Sequence, residues 1–166
     1  MNTIYRVRWG SLVIIITIVI SIVIICVNMK LVYYLFNSGD FILSGIVLLI
    51  FNFTIGFTIA HSPLYLRIND HNIFLKKIYG KVIIDFSEIK SIDLFNSNFD
   101  IRMFGSGGFF GFIGIFSNDK YGWYRSYVGN PKQSFLIVTK NSKKYVFSCE
   151  KSEDIISIVK KHIKNE

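Results

Sequence analysis

Two long apolar segments at the beginning of the chain are its clearest pattern. Residues 11–27 and 41–60 contain no charged side chain, and each has about the length that an α-helix needs to cross the hydrocarbon core of a bilayer. We therefore predict a transmembrane hairpin over residues 1–61, with helices at about 11–28 and 41–60. Asn52 is the strongly polar residue of the second segment, and we expect it to form a hydrogen bond between helices.

The first apolar segment is interpreted as an uncleaved anchor. It is longer than the apolar region of a typical signal peptide, and no small-x-small cleavage site follows it. Arg6 and Arg8 precede the hairpin, and Lys76 and Lys77 follow it. Because positive charge marks the cytoplasmic side, we predict a multi-pass protein of the inner membrane with both termini and the C-terminal domain in the cytoplasm.

The hydrophobic pattern changes after Ser62-Pro63, where a helix is expected to end because the residue before proline disfavours the α conformation. Short apolar segments separated by turn residues then follow, which is typical of antiparallel strands. They cover residues 64–68, 73–78, 82–86, 87–95, 121–128, 134–140 and 143–149. A last amphipathic segment begins at Ser152 and predicts a helix. The predicted fold of residues 62–166 is a mainly-β barrel of about seven antiparallel strands capped by a C-terminal α-helix.

Glycine and phenylalanine alternate in residues 104–116, FGSGGFFGFIGIF. The glycine spacing does not fit a dinucleotide-binding loop, and no Lys-Ser/Thr pair follows it, as a P-loop requires. The stretch is also too short to cross a membrane. We interpret it as a bend of the barrel whose phenylalanines fill the core. A second interpretation stays open, in which Phe109 and Phe110 reach the bilayer interface beside Trp123 and Tyr124.

The charge of the chain favours acidic partners. Its formal net charge is +8, with 19 Lys and Arg against 11 Asp and Glu. Most of the excess lies in residues 62–166, where Lys76 and Lys77 are candidate contacts to an anionic membrane surface or to a protein partner. The basic residues are scattered, and neither a recognition helix nor a stacking platform is evident, so nucleic acid is not a predicted partner.

The sequence contains no recognisable catalytic or metal-binding motif. Neither a GxSxG elbow nor an HExxH helix is present. The histidines His61, His71 and His162 and the cysteines Cys26 and Cys149 stand at no ligand spacing. We therefore predict a protein that is not an enzyme, with no catalytic residues, no cofactor and no metal.

Residues 102–128 and 135–149 resemble the bacterial pleckstrin-homology (PH)-like domain proteins, in particular those with two N-terminal membrane helices. The resemblance covers about residues 62–163, and FGSGGFFG is its most specific part. It implies a bent seven-stranded barrel capped by the last helix, without catalytic residues. Some PH domains bind phosphoinositides through basic residues in their first strand connection. The corresponding turn here, residues 69–72, holds an acid and no Lys or Arg, which argues against headgroup binding of that kind.

These observations predict a non-enzymatic, membrane-anchored PH-like module whose cytoplasmic domain binds a protein partner or the membrane surface. The alternative is a small accessory subunit of an integral membrane complex, assembled through its transmembrane hairpin. In that case Asn52 and Gly56 would pack against another membrane protein, as polar and small residues do in lipid. An enzyme acting on lipids or envelope precursors is the third and least supported possibility.

Overall fold

A computed structural model describes residues 3–37, 41–97 and 100–164 of the chain. The three helices are α1 (Ser11–Asn37), α2 (Phe41–Ala60) and α3 (Ser152–Lys164). The strands in the described residues are β1 (Thr3–Arg6), β2 (Pro63–Ile68), β3 (Asn72–Lys77), β4 (Lys81–Asp85), β5 (Ile89–Leu94), β6 (Ile101–Gly108), β7 (Gly111–Asn118), β8 (Gly122–Val128), β9 (Ser134–Thr139) and β10 (Lys144–Ser148).

The strands form two sheets. The first is antiparallel throughout and has the order β1-β2-β3-β4. The second has the order β5-β9-β10-β8-β7-β6, and in it β10 runs parallel to β8 while the other neighbours are antiparallel. Both sheets turn one face inward, and α3 covers the end of the layer between them.

The main core lies between the two sheets and is closed by α3. Leu66 and Leu75 from the first sheet meet Phe135 and Ile137 from the second, and all four are fully buried. From α3, Ile155, Ile156 and Val159 complete the same cluster. Successive side chains of a strand point to opposite faces, so in β2 and β3 one apolar set enters this core, whereas β9 is apolar and buried on both faces. The mainly-β domain with a C-terminal helix is therefore confirmed.

The barrel prediction needs correction in three respects. In the described part of the chain no strand pairing joins the two sheets, so the barrel is not closed. The β8–β10 pair is parallel, whereas only antiparallel pairs were predicted. There are also more strands than the predicted seven, because the Gly/Phe stretch forms β6 and β7 instead of a bend. Local alternation identifies a strand, but it does not specify which strand becomes its neighbour.

Helix α1 is longer than predicted, since it continues from Ser11 to Asn37 instead of ending near residue 28. It pairs with α2 through the predicted interhelical hydrogen bond, in which the Asn52 amide donates to the Asn28 side-chain oxygen at 2.8 Å. From this bond α2 continues for about 12 Å to its last residue, whereas α1 extends back for about 26 Å to its first. The first turns of α1 therefore project beyond α2 toward the β domain.

Strand β1 precedes α1 and is part of the first sheet. Its residues pair with β2 from Thr3↔Ile68 to Arg6↔Tyr65, and Tyr5 is buried in the main core. The salt bridge between Arg8 and Glu150, at 2.8 Å, joins the same segment to the start of α3. Residues 3–6 lie within the predicted hairpin region 1–61, and the strand was not predicted because four residues are too few to show a strand period.

Candidate functional site

The tip of the β6–β7 hairpin packs against the projecting end of α1. Gly108 and Gly111 face each other in the register, so Phe109 and Phe110 form a two-residue turn. The backbone N–H of Phe110 donates to Thr17 Oγ1 at 3.1 Å, and Thr17 Oγ1 donates to the Gly108 carbonyl at 3.4 Å. Thr17 is nearly buried by this contact, which attaches the hairpin to the helix.

The same tip also contacts the end of α2. Ser62 Oγ donates to the Phe110 carbonyl at 2.9 Å. On the other side, the ring of Trp9 meets the Phe110 ring edge-on, with 5.2 Å between centroids. The hairpin tip thus lies between the beginning of α1 and the end of α2.

Two glycines in the middle of the hairpin explain the glycine-rich sequence. Gly105 and Gly114 are cross-strand partners, with φ values of +114° and +131° that side-chain-bearing residues rarely adopt. A Cβ on Gly105 would stand 2.0 Å from the Ile113 carbonyl oxygen, and a Cβ on Gly114 would stand 2.1 Å from that of Phe104. The strands approach closely here, and their surface carries no side chains at this point.

A groove lies between this glycine surface and the last turns of α2. Its volume is about 530 Å³, within the range of about 300–1,000 Å³ typical of ligand pockets. Its walls are mostly apolar. Phe53 and Phe57 of α2 and His61, just after that helix, form one wall, and Phe104, Ile113 and Tyr127 of the second sheet form the other. An apolar groove beside an apolar helix such as α2 is suited to an apolar or amphiphilic ligand.

A buried cation lies next to one wall of the groove. Lys77 is 9% exposed, and its Nζ lies over the ring of Tyr127 at 5.7 Å from the centroid. Burial lowers the pKa of the Lys77 ammonium. In the described residues no carboxylate lies within ion-pair distance of it. The Lys77 ammonium is partly desolvated and its Nζ keeps access to solvent, so an anion can approach it on the side away from the aromatic face.

The turn between β3 and β4 is fixed to the end of α2. The backbone N–H of Ile78 donates to the Ser62 carbonyl at 3.0 Å, and that of Tyr79 donates to the Ala60 carbonyl at 2.7 Å. The Tyr79 side chain is 76% exposed, and that of Ile78 is 46% exposed. The exposed side chains of Ile78 and Tyr79, next to Lys76 and Lys77 in the sequence, thus lie close to the end of α2.

The structure separates the predicted contact residues into three groups. Phe109 and Phe110 lie together at the hairpin tip, with Phe109 buried against its surroundings. Lys76 and Lys77 lie on β3 close to the end of α2. Trp123, which is exposed, and Tyr124 are at the other end of β8, opposite Ser117 and Phe116 of β7. That position is six residues from the tip glycine Gly111, or about 20 Å.

The Tyr124 side chain is buried and contributes to packing within the domain. It belongs to a second apolar cluster on the outer face of the second sheet, with Phe116 and Phe95. Burial, together with a hydrogen bond to Asp100, raises the pKa of its phenol. Phe109 and Phe110 are therefore not beside Trp123 and Tyr124, and these four residues do not form one surface.

The groove was not predicted from the sequence. One feature of the sequence pointed to the groove, namely the spacing of Gly105 and Gly114. A two-residue turn at Phe109-Phe110 brings these two glycines face to face. The contribution of α2 had no signal, because Phe53, Phe57 and Thr58 do not differ in type from the lipid-facing residues around them.

The titratable residues do not assemble into a catalytic or metal-binding set in the described ranges, where no group of three or more His, Cys, Asp and Glu side chains converges. His61 Nδ1 and His162 Nδ1 each lie 2.9 Å from the carbonyl oxygen four residues earlier on their own helix. These nitrogens thus carry protons engaged in local hydrogen bonds. The features that remain are an apolar groove, a buried lysine and two apolar helices.

The described residues thus form a two-sheet β domain that is closed by a C-terminal helix and has an apolar groove beside α2. A family model, described as "Bacterial PH domain", matches residues 64–163. The chain belongs to this bacterial PH domain family, and PH domains are typically binding modules without catalytic activity. No curated protein and no solved structure matches the chain.

Both α1 and α2 are long and apolar enough to cross a membrane. They have 27 and 20 residues, with mean hydropathies of 3.1 and 2.2 over their most apolar windows. Their side chains are largely uncovered by the rest of the chain, since 11% and 0% of those windows are buried. The PH domain is therefore preceded by two apolar helices whose exposed side chains need an apolar environment that the described chain does not supply.

Proposed function

We propose that this chain is a membrane-anchored binding module, in which α1 and α2 span the inner membrane and the PH domain binds a partner at the cytoplasmic surface. The exposed apolar surface of the two helices supports the anchor. A continuous apolar surface of this size is unfavourable in water and is covered by hydrocarbon in a bilayer.

The observation that carries the proposal is the pairing of β1 with β2. These strands flank the helical hairpin on its two sides in the sequence, and they are hydrogen-bonded along four residue pairs. Both ends of the hairpin must therefore lie on the same side of any membrane that it crosses. Arg6, Arg8, Arg67, Lys76 and Lys77 lie at these ends, which favours the cytoplasmic side.

The domain is also held close to the helix ends. The hairpin tip bonds to Thr17 and Ser62, and the β3–β4 turn bonds to Ala60. A domain attached through three contacts, in addition to the chain itself, keeps its groove beside α2. Tethering raises the effective concentration of such a module at the surface, so weak contacts suffice for binding.

Membrane extraction and protease protection test this proposal together. The full-length chain is expected to stay in the membrane pellet after alkaline carbonate treatment. Its β domain should resist protease added to intact spheroplasts and become sensitive when the membrane is opened. Release by carbonate, or digestion of the domain in intact spheroplasts, would contradict the anchor or the orientation respectively.

The accessory-subunit alternative receives less support from the helices. That alternative would have Asn52 contact another membrane protein, but the Asn52 amide already donates to Asn28 and to the Leu48 carbonyl of its own hairpin. Gly56 has no atom within 4 Å of the position that a Cβ would take, so this part of α2 is open to a neighbour. Replacing both helices by unrelated ones discriminates the two roles, because loss of a native complex would favour assembly through the hairpin.

A further inference from the structure

We infer that the groove between α2 and the β6–β7 hairpin holds an acyl chain of an anionic phospholipid from the cytoplasmic leaflet, with the phosphate at the end of the groove near His61 and Lys77. The inference rests on the proposed function, because it requires α2 to lie in a bilayer. It concerns a groove between the anchor and the domain, which is separate from the basic loop that some PH domains use for phosphoinositides.

The position of the groove points to lipid. Phe53 lies seven residues before the end of α2 and Phe57 lies three before it, so this wall reaches about 10 Å into the membrane from the helix end. One leaflet contributes about 15 Å of hydrocarbon. The groove is therefore at the depth of the leaflet on the domain side, where acyl chains are the surrounding solvent.

The lining makes an acyl chain the favoured occupant at that depth. Most of the groove surface is apolar and offers water few hydrogen-bond partners, although Thr54, Thr58 and Ser106 add polar groups to its lining. The surface around Gly105 and Gly114 is free of side chains, so a linear chain can lie against the backbone there. Phe104, which is 66% exposed, stands on the edge strand and would cover part of a bound chain.

The volume disfavours a partner helix as the occupant. An α-helix with side chains is about 10–12 Å across, so a space of this size holds about one helical turn. Helix pairs in membranes pack along several turns. A narrow, flexible chain uses the groove more completely than a rigid cylinder does.

The charges at the membrane end of the domain select an anionic headgroup. The Lys77 side chain is mostly buried while its Nζ keeps access to solvent, and it has no carboxylate partner in the described residues. The ring beneath it, Tyr127, is itself part of the groove wall. Lys76 and Lys81 pair across β3 and β4 next to it. His61 adds a polar group to the lining at the last turn of α2.

The experiment uses the full-length chain reconstituted in nanodiscs with equal amounts of phosphatidylglycerol and phosphatidylcholine. After release into neutral detergent, native mass spectrometry counts the phospholipids retained on each protein. The wild type should retain a phosphatidylglycerol in preference to phosphatidylcholine. Thr54→Trp places a large side chain in the groove and should abolish most of this retention. Leu43→Trp is the matched control, because it lies on the same side of α2 three turns away, and it should retain lipid like the wild type.

A second variant tests the headgroup contact. Lys77→Met should keep the groove but reduce the preference for phosphatidylglycerol by about fivefold, as expected for one lysine near an anionic surface. In lipid-free neutral detergent the same variant should raise the unfolding midpoint, because an ammonium that is costly to bury has been removed. If Lys77→Met lowers the midpoint and the retention together, Lys77 is structural and the assignment of the phosphate to it is wrong.

The failures of the two proposals are distinguishable. A chain that does not integrate into nanodiscs would overturn the membrane anchor and the lipid site with it. A chain that integrates but retains no phospholipid, or retains it equally with Thr54→Trp, would overturn the lipid site alone. A protein dimer that Thr54→Trp disrupts would identify a second copy of the chain as the occupant and would also overturn the lipid site.

Discussion

The helices α1 and α2 have similar composition, yet they differ in how they contact the domain. Helix α1 buries Val13 completely and Thr17 almost completely, and its first turns bind the β6–β7 hairpin. Helix α2 buries none of its twenty side chains, although its end bonds to the β3–β4 turn. The beginning of α1 is thus a packing element of the domain, whereas α2 offers its side chains to the groove and to the surroundings.

This difference shows that the hydropathy of a helix does not identify what surrounds it. An apolar helix needs an apolar environment, but the sequence does not state whether protein or lipid supplies it. For α1 the β6–β7 hairpin supplies part of that environment. A given type of substitution should therefore change the stability of the protein more in α1 or in the β6–β7 hairpin than in α2.

The largest effect is expected from Gly114→Val. Its Cβ would collide with the Phe104 carbonyl, and its φ of +131° is unfavourable for valine. The strained backbone costs about 1–3 kcal/mol, and the collision adds to that, so the hairpin should separate from α1. Thermal unfolding in detergent, followed by circular dichroism, measures the loss.

The control for this variant is Gly56→Val in α2, where nothing lies within 4 Å of the added Cβ. It should unfold at the wild-type midpoint. Equal destabilisation by both variants would mean that α2 is packed as tightly as the hairpin, which would remove the contrast between the helices.

The second prediction concerns Val13→Ala in α1. Val13 is fully buried, so removing two methyl groups should lower the free energy of unfolding by about 2 kcal/mol. Val47→Ala in α2 is the matched change at a side chain that is 43% exposed, and it should have little effect. Denaturant titration in detergent compares the pair. A loss of stability with Val47→Ala that equals the loss with Val13→Ala would contradict the proposed role of α1.

The third prediction concerns Cys149, which is buried in the domain core. Burial raises the pKa of the Cys149 thiol to about 12, from an ordinary value of about 9. Above pH 9 the unfolded chain loses this proton while the folded chain keeps it, so stability falls as pH rises between 9 and 12. The fall should be about 1 kcal/mol at pH 10.

Cys149→Ala isolates that contribution, because buried tyrosines with raised pKa values act in the same direction in both proteins. The difference in unfolding free energy between wild type and variant should shrink from pH 8 to pH 10. A difference that is constant over this interval would show that the folded thiol titrates normally.

The smallest effect is expected from Arg8→Gln. The guanidinium bonds to Glu150 at 2.8 Å, but its side chain is 72% exposed. Exposed ion pairs contribute about 0–1 kcal/mol, so the unfolding midpoint should decrease only slightly and less so in high salt. A large decrease would mean that the segment between β1 and α1 is held mainly by this pair.

Much of the domain was predictable because its strands show local alternation. The segments at 64–68, 73–78 and 134–140 coincide with β2, β3 and β9 to within a residue or two. The helical turn followed by a strand at 87–95 is also present, as a 3₁₀ turn over Phe86–Glu88 and then β5. In each of these segments the side chains of one face enter the same core, so the local pattern and the tertiary packing agree.

The errors occur where the determining contacts are distant in sequence. The Gly/Phe stretch did not show strand alternation, because its glycines serve a close backbone approach between β6 and β7. Strand β1 depends on β2, which lies about sixty residues later. The position of the groove depends on the angle between α2 and the hairpin, and no local sequence pattern reports such an angle.

The pairing of β1 with β2 also has a consequence for biosynthesis. The four residues of β1 are made before both apolar helices, and their partner strand is made only after them. If the helices enter the membrane in the proposed orientation, the first sheet is completed when the second crossing has returned the chain to its starting side. A chain with one helix left uninserted would keep an unpaired strand edge, which quality-control proteases could recognise as a mark of wrong topology.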